Sequence, residues 1–238
     1  MDPARVGVCA WLGLLHSAAK QLDERGFNKS LESRKNGTIK LSKLIKALAA
    51  VFPCSHCRQH IVLNWDAPNV PKDDGCSFPM QALMRNFHNL VSSATKKGGG
   101  APSMLSLVEV VKNNHKLWTT KVWRLWFGGF LLYTAANCEA FGKTTSKGPA
   151  VLFENMSTLV RAAKECGLDV PELTGPATTC DSVWELTFGY VSKMAIMSGF
   201  KGFGRSQYVR KLVMEASSGS VDYVKHGKNI VEQILKNK

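Results

Sequence analysis

Residues 51–60 read VFPCSHCRQH, and the pair Cys54/Cys57 within them is the feature around which the chain organises. Upstream, Leu41, Leu44, Ile45, Leu48 and Val51 recur at the spacing of one helix face. Pro53 is tolerated in the first turn of a following helix, so a new helix starts at the dithiol and runs to about Asn64. Two thiols so placed can close a small, reactive disulfide. The unpaired N–H groups of a helix N-terminus favour a thiolate and lower its pKa from about 8.5 towards neutrality. The same spacing also supplies half of a four-ligand zinc site. Spacing alone leaves both readings open.

Working outward, the pattern is helical nearly throughout, and no stretch reads as a strand pair. Residues 5–24 carry Val8, Trp11, Leu12, Leu15, Ala19 and Leu22 at helix spacing. A polar loop is expected from Gly26 to Gly37, with Thr38 capping the helix that leads into VFPCSHC. A proline-rich loop over 66–79 carries Cys76, and a fourth helix covers about 79–95. Lys96 to Pro102 is a Gly-rich break, and Ser103 opens a fifth helix to about residue 116. The expected fold class is all-α.

The chain has 238 residues with 45% hydrophobic content, enough for one large core or two modest ones. Thirty-one Lys and Arg against 18 Asp and Glu give a net charge of +13, spread along the chain. That excess attracts phosphates or simply serves solubility. The basic residues are not interleaved with aromatics as in single-strand binders, so no specific nucleic-acid role is expected. Seven cysteines at this length are not a disulfide-dense secreted scaffold. No signal-peptide pattern opens the sequence. The most apolar run, Leu125 to Ala136, falls short of the roughly 20 residues that cross a bilayer and reads as a buried helix. A soluble, cytoplasmic protein is expected.

Three segments in order carry a resemblance. AWLGLLH at 10–16, VFPCSHC at 51–57 and NFHNLVS at 86–92 place Trp11, His16, Phe52, Cys54, Cys57, His88, Asn89, Val91 and Ser92 in the sequence and helical context of the Erv/ALR family of FAD-linked sulfhydryl oxidases. In that family a Trp and a His on the first helix precede an aromatic-Pro-Cys-x-x-Cys, then HNxVN and a Lys. The likeness covers residues 5 to about 118 and is greatest to the compact viral members. Two departures touch cofactor contacts: four residues, not three, separate Trp11 from His16, and Ser92 stands where the motif ends in Asn.

The resemblance implies an Erv-like bundle of four to five helices over residues 1–118 that binds FAD. It implies that a substrate dithiol attacks the Cys54–Cys57 disulfide at Cys54, that Cys57 passes electrons to the flavin, and that dioxygen becomes hydrogen peroxide. Trp11, His16, Phe52, Cys57, His88, Asn89, Val91, Ser92 and Lys97 would then contact the cofactor. The implied partners are protein dithiols, either a thioredoxin-like carrier or viral structural proteins, with the virion or a viral assembly site as an alternative location. Without the resemblance, His16 and His88 read as ordinary core or helix-surface groups, and Trp118 as core packing.

Residues 119–238 form a further helical domain. FGYVSKM at 188–194 aligns with FHNLVSS at 87–93 at an offset of one hundred, setting Phe188 against His88 and Gly189 against Asn89. SQYVRKLVMEA from Ser206 is similar to SMLSLVEVVKN from Ser103, LVRAAKECGLDVP from Leu159 to LIKALAAVFPCSHC, and Trp123 to Leu132 to the first helix. The half reads either as a degenerate, cofactor-free copy that makes an intrachain pseudo-dimer in place of a homodimer, or as an unrelated partner-binding domain. GKTTSKGP at 142–149 is expected to be a loop. Cys166 and Cys180 are the candidate disulfide, while Cys9, Cys76 and Cys138 are expected to be buried free thiols. The competing reading is a zinc-binding structural or nucleic-acid module on Cys54, Cys57, His60 and Cys76. A noncatalytic assembly protein on an oxidase scaffold is the third.

Overall fold

Ser30 starts the longest of the described helices by a reciprocal cap: its hydroxyl accepts from the Ser33 backbone N–H, and the Ser33 hydroxyl accepts from the Ser30 backbone N–H. This computed structural model describes residues 11–52, 55–65, 76–94, 106–200 and 205–217. Their helices are α1 (His16–Leu22), α2 (Leu31–Val51), α3 (Ser55–Asn64), α4 (Pro79–Ala94), α5 (Leu107–Thr119), α6 (Val122–Ala136), α7 (Cys138–Thr145), α8 (Pro149–Glu165), α9 (Cys180–Met197) and α10 (Ser206–Ser217). Wider π-type turns, Trp11–Leu15 and Asp23–Phe27, extend α1 at both ends. No strand occurs among the described residues, and the fold is all-α.

The caps correct three expected boundaries. The loop expected over 26–37 is only a short turn before Leu31, and Thr38 lies inside α2, its hydroxyl donating to the Arg34 carbonyl at 2.9 Å. Gly37, which looks like a loop residue, lies buried within α2, where a Cβ would sit 2.8 Å from the Met80 sulfur. The described start of α5 is capped by Ser106 with Glu109 at its third position, while Ser103 lies outside the described residues. Residues 142–145 are the last turn of α7, so the expected loop over 142–149 shrinks to the turn before Pro149, the first residue of α8.

Two sets of helices repeat one packing plan. α1 packs on α4 and α5, and α6 packs on α9 and α10. The sets meet where the Trp11–Leu15 turn crosses α6 and where α2 lies along α8. At the first seam the backbones touch: a Cβ on Gly13 would lie 2.6 Å from the Trp126 carbonyl carbon and closer still to the Phe127 nitrogen. One hydrophobic cluster runs through both sets, from Leu14, Leu22 and Leu44 to Phe127, Leu159 and Trp184. Each apolar position expected to face inward on α2, from Leu41 to Val51, is buried.

The joint between the sets is braced. Lys121 turns the chain in the left-handed region at φ 56°. Across that turn Trp118 and Trp123 stack with centroids 5.0 Å apart and planes 6° from parallel. The Lys20 ammonium, itself paired with Glu24, lies 5.1 Å from the Trp118 ring, and the Arg124 guanidinium lies 5.1 Å from the Trp123 ring. A cation on an aromatic face contributes about 0.5–2 kcal/mol as it is desolvated, so this four-layer stack stiffens the joint. Trp118 is thus a packing residue at the joint.

The cysteines pair differently from expectation. Cys180, the first residue of α9, is bonded to Cys138, the first residue of α7, with Cα atoms 5.5 Å apart. Cys138 is therefore not a free thiol, and Cys180 does not pair with Cys166. Cys166 is a buried thiol at the end of α8, and burial pushes it up to about 12, leaving it inert as a nucleophile. Spacing along the chain could not choose between these partners, because the choice depends on which helix starts meet in space. No helix among the described residues is long and apolar enough to cross a membrane.

Candidate functional site

A carboxylate from one helix seats the next. Pro79 begins α4, and the residue before it, Phe78, has no side-chain oxygen to cap the exposed N–H groups. Asp23, in the turn that ends α1, fills that role from 57 residues away. Its carboxylate accepts from the Met80 backbone N–H at 2.9 Å and from that of Gln81 at 3.1 Å. Burial nonetheless raises its pKa to about 6, against the lowering effect of those bonds and of the Arg34 charge. The next link runs to α5: Asn114 Nδ2 donates to Gln81 Oε1 at 2.8 Å and to the His16 carbonyl at 3.4 Å.

This frame sets α4 against α1 and brings His88 to His16. The His16 Nε2 and His88 Nδ1 atoms are 3.0 Å apart, with one nitrogen donating and the other accepting, and the ring centroids are 5.3 Å apart. Burial, then the neighbouring His88, lowers the His16 pKa to about 3, and burial lowers that of His88 to about 4. Both imidazoles are neutral at physiological pH. They are poor acid–base groups there and cannot hold a phosphate by charge, but they can bond the polar edges of a neutral ring. Asn89, the residue after His88 on α4, is buried, and Val91, half-buried, packs on the core.

Of the sequence-derived site residues, His16, His88, Asn89 and Val91 lie on the two packed helices α1 and α4. Phe52 is buried at the end of α2, its ring 5.7 Å from that of Phe130 on α6, so it faces the second set of helices. Cys57 is in the first turn of α3, as expected, and Trp11 opens the π-type turn before α1; neither side chain is described. Ser92 is likewise on α4 without a described side chain, and Cys54 and Lys97 lie outside the described residues. Among the described residues no three or more His, Cys, Asp or Glu side chains gather as a metal ion needs. Cys54 and the side chains of Cys57 and His60 are not among these, and Cys76 is half-buried.

The dithiol helix is anchored at both ends by residues that sequence reasoning missed. Arg58 Nη1 donates to the Phe52 carbonyl at 2.7 Å, spanning the Cys54/Cys57 segment. At the far end Trp65 Nε1 donates to Ser42 Oγ at 3.0 Å, and its ring meets Phe87 edge-on at 5.0 Å. Asp23, Gln81 and Asn114 were missed too. The signal for Asn114 was present: it sits on the apolar stripe of α5 with Val110, where a polar residue needs a partner. Nothing in the sequence marks Asp23 as a cap for a helix 57 residues on. Comparisons with protein-family models, with curated proteins and with solved structures returned no match.

Proposed function

We propose that this chain is an FAD-dependent sulfhydryl oxidase of the Erv/ALR type, which makes disulfides in partner proteins and uses Cys54/Cys57 as its redox pair. The observation that carries the reading is the His16–His88 contact: the two motif histidines, 72 residues apart, meet within hydrogen-bond distance. Two neutral imidazoles, the buried Asn89 amide and apolar Val91 supply the uncharged hydrogen-bonding and apolar groups that suit a flat heteroaromatic ring with hydrogen-bonding edges. His16, His88, Asn89 and Val91 would hold FAD, with Trp11, Phe52, Cys57, Ser92 and Lys97 completing its surroundings. Bound there, FAD would supply the electron acceptor: as Cys54 and Cys57 re-form their disulfide, the electron pair they release would pass by way of it to dioxygen, giving hydrogen peroxide.

The protein's own part is thiol chemistry. A substrate thiolate attacks the Cys54 sulfur, the Cys54–Cys57 bond breaks, and Cys57 leaves as a thiolate in the first turn of α3, where backbone N–H groups favour negative charge. The substrate's second thiol then releases Cys54. The expected substrates are a thioredoxin-like carrier or viral structural proteins, in the cytoplasm or at a viral assembly site.

In this reading α6–α10 descend from the same unit as α1–α5. The support is the repeated packing plan: α1 with α4 and α5 matches α6 with α9 and α10. Two elements also meet their own counterparts, the α1 turn against α6 and α2 along α8, as elements beside a two-fold axis do. The second set would cover the face that a second chain covers in a homodimer.

The purified protein is expected to be yellow, with flavin absorption that bleaches on adding dithiothreitol and recovers in air. Cys57→Ser should keep the flavin and lose dithiol-dependent oxygen consumption. Retained turnover in that variant would overturn the mechanism, and a colourless protein carrying one zinc per chain would replace it with the zinc module.

A further inference from the structure

The Cys138–Cys180 bond lies outside the proposed redox centre, and its two sulfurs are not equivalent. Cys138 is buried at 3% exposure, whereas Cys180 is only half-buried. Each is the first residue of its helix, where exposed backbone N–H groups favour a thiolate. Cys180 is also held in place, because Thr179 and Ser182 cap α9 reciprocally around it. A reagent therefore reaches Cys180 more readily than Cys138. The bond closes a loop with a sequence separation of 42 and ties α7 to α9, which packs along α6 and so reaches the turn beside His16.

We propose that Cys138–Cys180 is a redox-operated latch, opened through Cys180, that locks α9 to α7 and so stiffens the half supporting the His16–His88 site. A reductant thiolate attacks Cys180 Sγ, the disulfide breaks, and Cys138 leaves as a thiolate that solvent protonates. The reductant's second thiol attacks the mixed disulfide, freeing Cys180 and carrying away the oxidised reductant. The protein gains two electrons and two protons, and the reductant loses the same. Closing the latch is the reverse reaction with a disulfide as oxidant.

The test uses the full chain with Cys54→Ser and Cys57→Ser, so that only this bond responds, and dithiothreitol under native conditions. Opening a loop of this length should lower Tm by roughly 10 °C. Brief alkylation followed by peptide mass mapping should label Cys180 faster than Cys138 by on the order of tenfold, following accessibility. Adding Cys138→Ser and Cys180→Ser should abolish the reductant-dependent Tm shift. The proposal is overturned if the native protein resists reduction until it unfolds, if both cysteines label alike, if the shift survives in the quadruple variant, or if air-purified protein lacks the bond.

Discussion

In α1–α5 a set of buried polar side chains reaches across helices, His16 to His88, Asp23 to the start of α4, Asn114 to Gln81 and to the His16 carbonyl, while Thr38 turns back on its own helix. In α6–α10 they mostly turn back on themselves. Thr134 donates to the Phe130 carbonyl, Asn137 to that of Tyr133 and Thr187 to that of Val183, each one turn back on the same helix. Arg124 reaches further, to Asp169 and the Met197 carbonyl, but these lie where elements end. A self-satisfied hydroxyl fixes nothing beyond its own helix. A cross-helix network costs stability if any member is lost and specifies one arrangement if all are present. The same packing plan thus carries a cross-helix polar network in one half and largely self-satisfied helices in the other.

The largest expected effect tests whether the seam between the halves is rigid. Gly13→Ala drives a methyl into the α6 backbone at Trp126–Phe127, which the helix ladder holds in place. It should cost about 3 kcal/mol or more. Gly128→Ala, on the opposite side of the same helix, meets side chains instead, Val191 Cγ1 at 2.6 Å and Met194 Cε at 3.3 Å. Those can rotate, so about 1 kcal/mol is expected. Urea midpoints at constant slope give the comparison. Equal losses would mean that α6 moves as freely against α1 as against α9.

The two kinds of polar burial should separate next. Asn114→Leu leaves the Gln81 Oε1 atom and the His16 carbonyl without their donor, at a cost of about 2 kcal/mol. It should also disturb the His16–His88 contact, read by the imidazole NMR signals. Thr187→Val is nearly isosteric and removes only a bond to a carbonyl of its own helix. Less than about 1 kcal/mol should be lost, with the histidine signals unmoved. If Thr187→Val proves the more damaging, polar reach is not what distinguishes the halves.

Much of this architecture was legible from periodicity. The apolar stripe on α2 and the buried run within α6 both follow from residues at helix spacing, since burying one face is what makes such a segment fold. The boundaries were not, because they depend on caps. Thr38 and the glycine before it read as the start of α2, whereas the cap is Ser30, and Gly37 lies inside the helix where the Met80 sulfur excludes a side chain. Motif order singled out His16 and His88, and packing brought them together. The groups that place them, Asp23, Gln81 and Asn114, act between segments far apart in sequence. Such contacts leave at most a polar residue on an apolar stripe, and for Asp23 not even that. The Cys138–Cys180 bond was hidden for the same reason.

The smallest expected effect concerns acid. His16 and His88 have pKa values lowered from 6.5 to about 3 and about 4, so the unfolded chain binds more protons than the folded one below about pH 7. Their contribution to stability is complete above 6.5 and falls as pH drops towards the folded values. Asp23 runs the other way: its pKa is raised to about 6, so between about pH 6 and its ordinary 3.8 the folded chain holds the extra proton and gains stability as pH falls. Two histidines against part of one carboxylate leave a net loss of about 1 kcal/mol between pH 7 and pH 6. The buried thiol Cys166 and phenol Tyr190 in the second set are both shifted upwards, far from this range. Acid should therefore loosen α1, α4 and α5 before α6 and α9. Hydrogen exchange at pH 7 and pH 6, corrected for intrinsic rates, should show protection lost first around His16 and His88. Replacing both histidines with Asn should remove that loss. Uniform loss across both halves would mean that the shared core opens as one unit, and that the polar network, however it is built, sets no separate local stability.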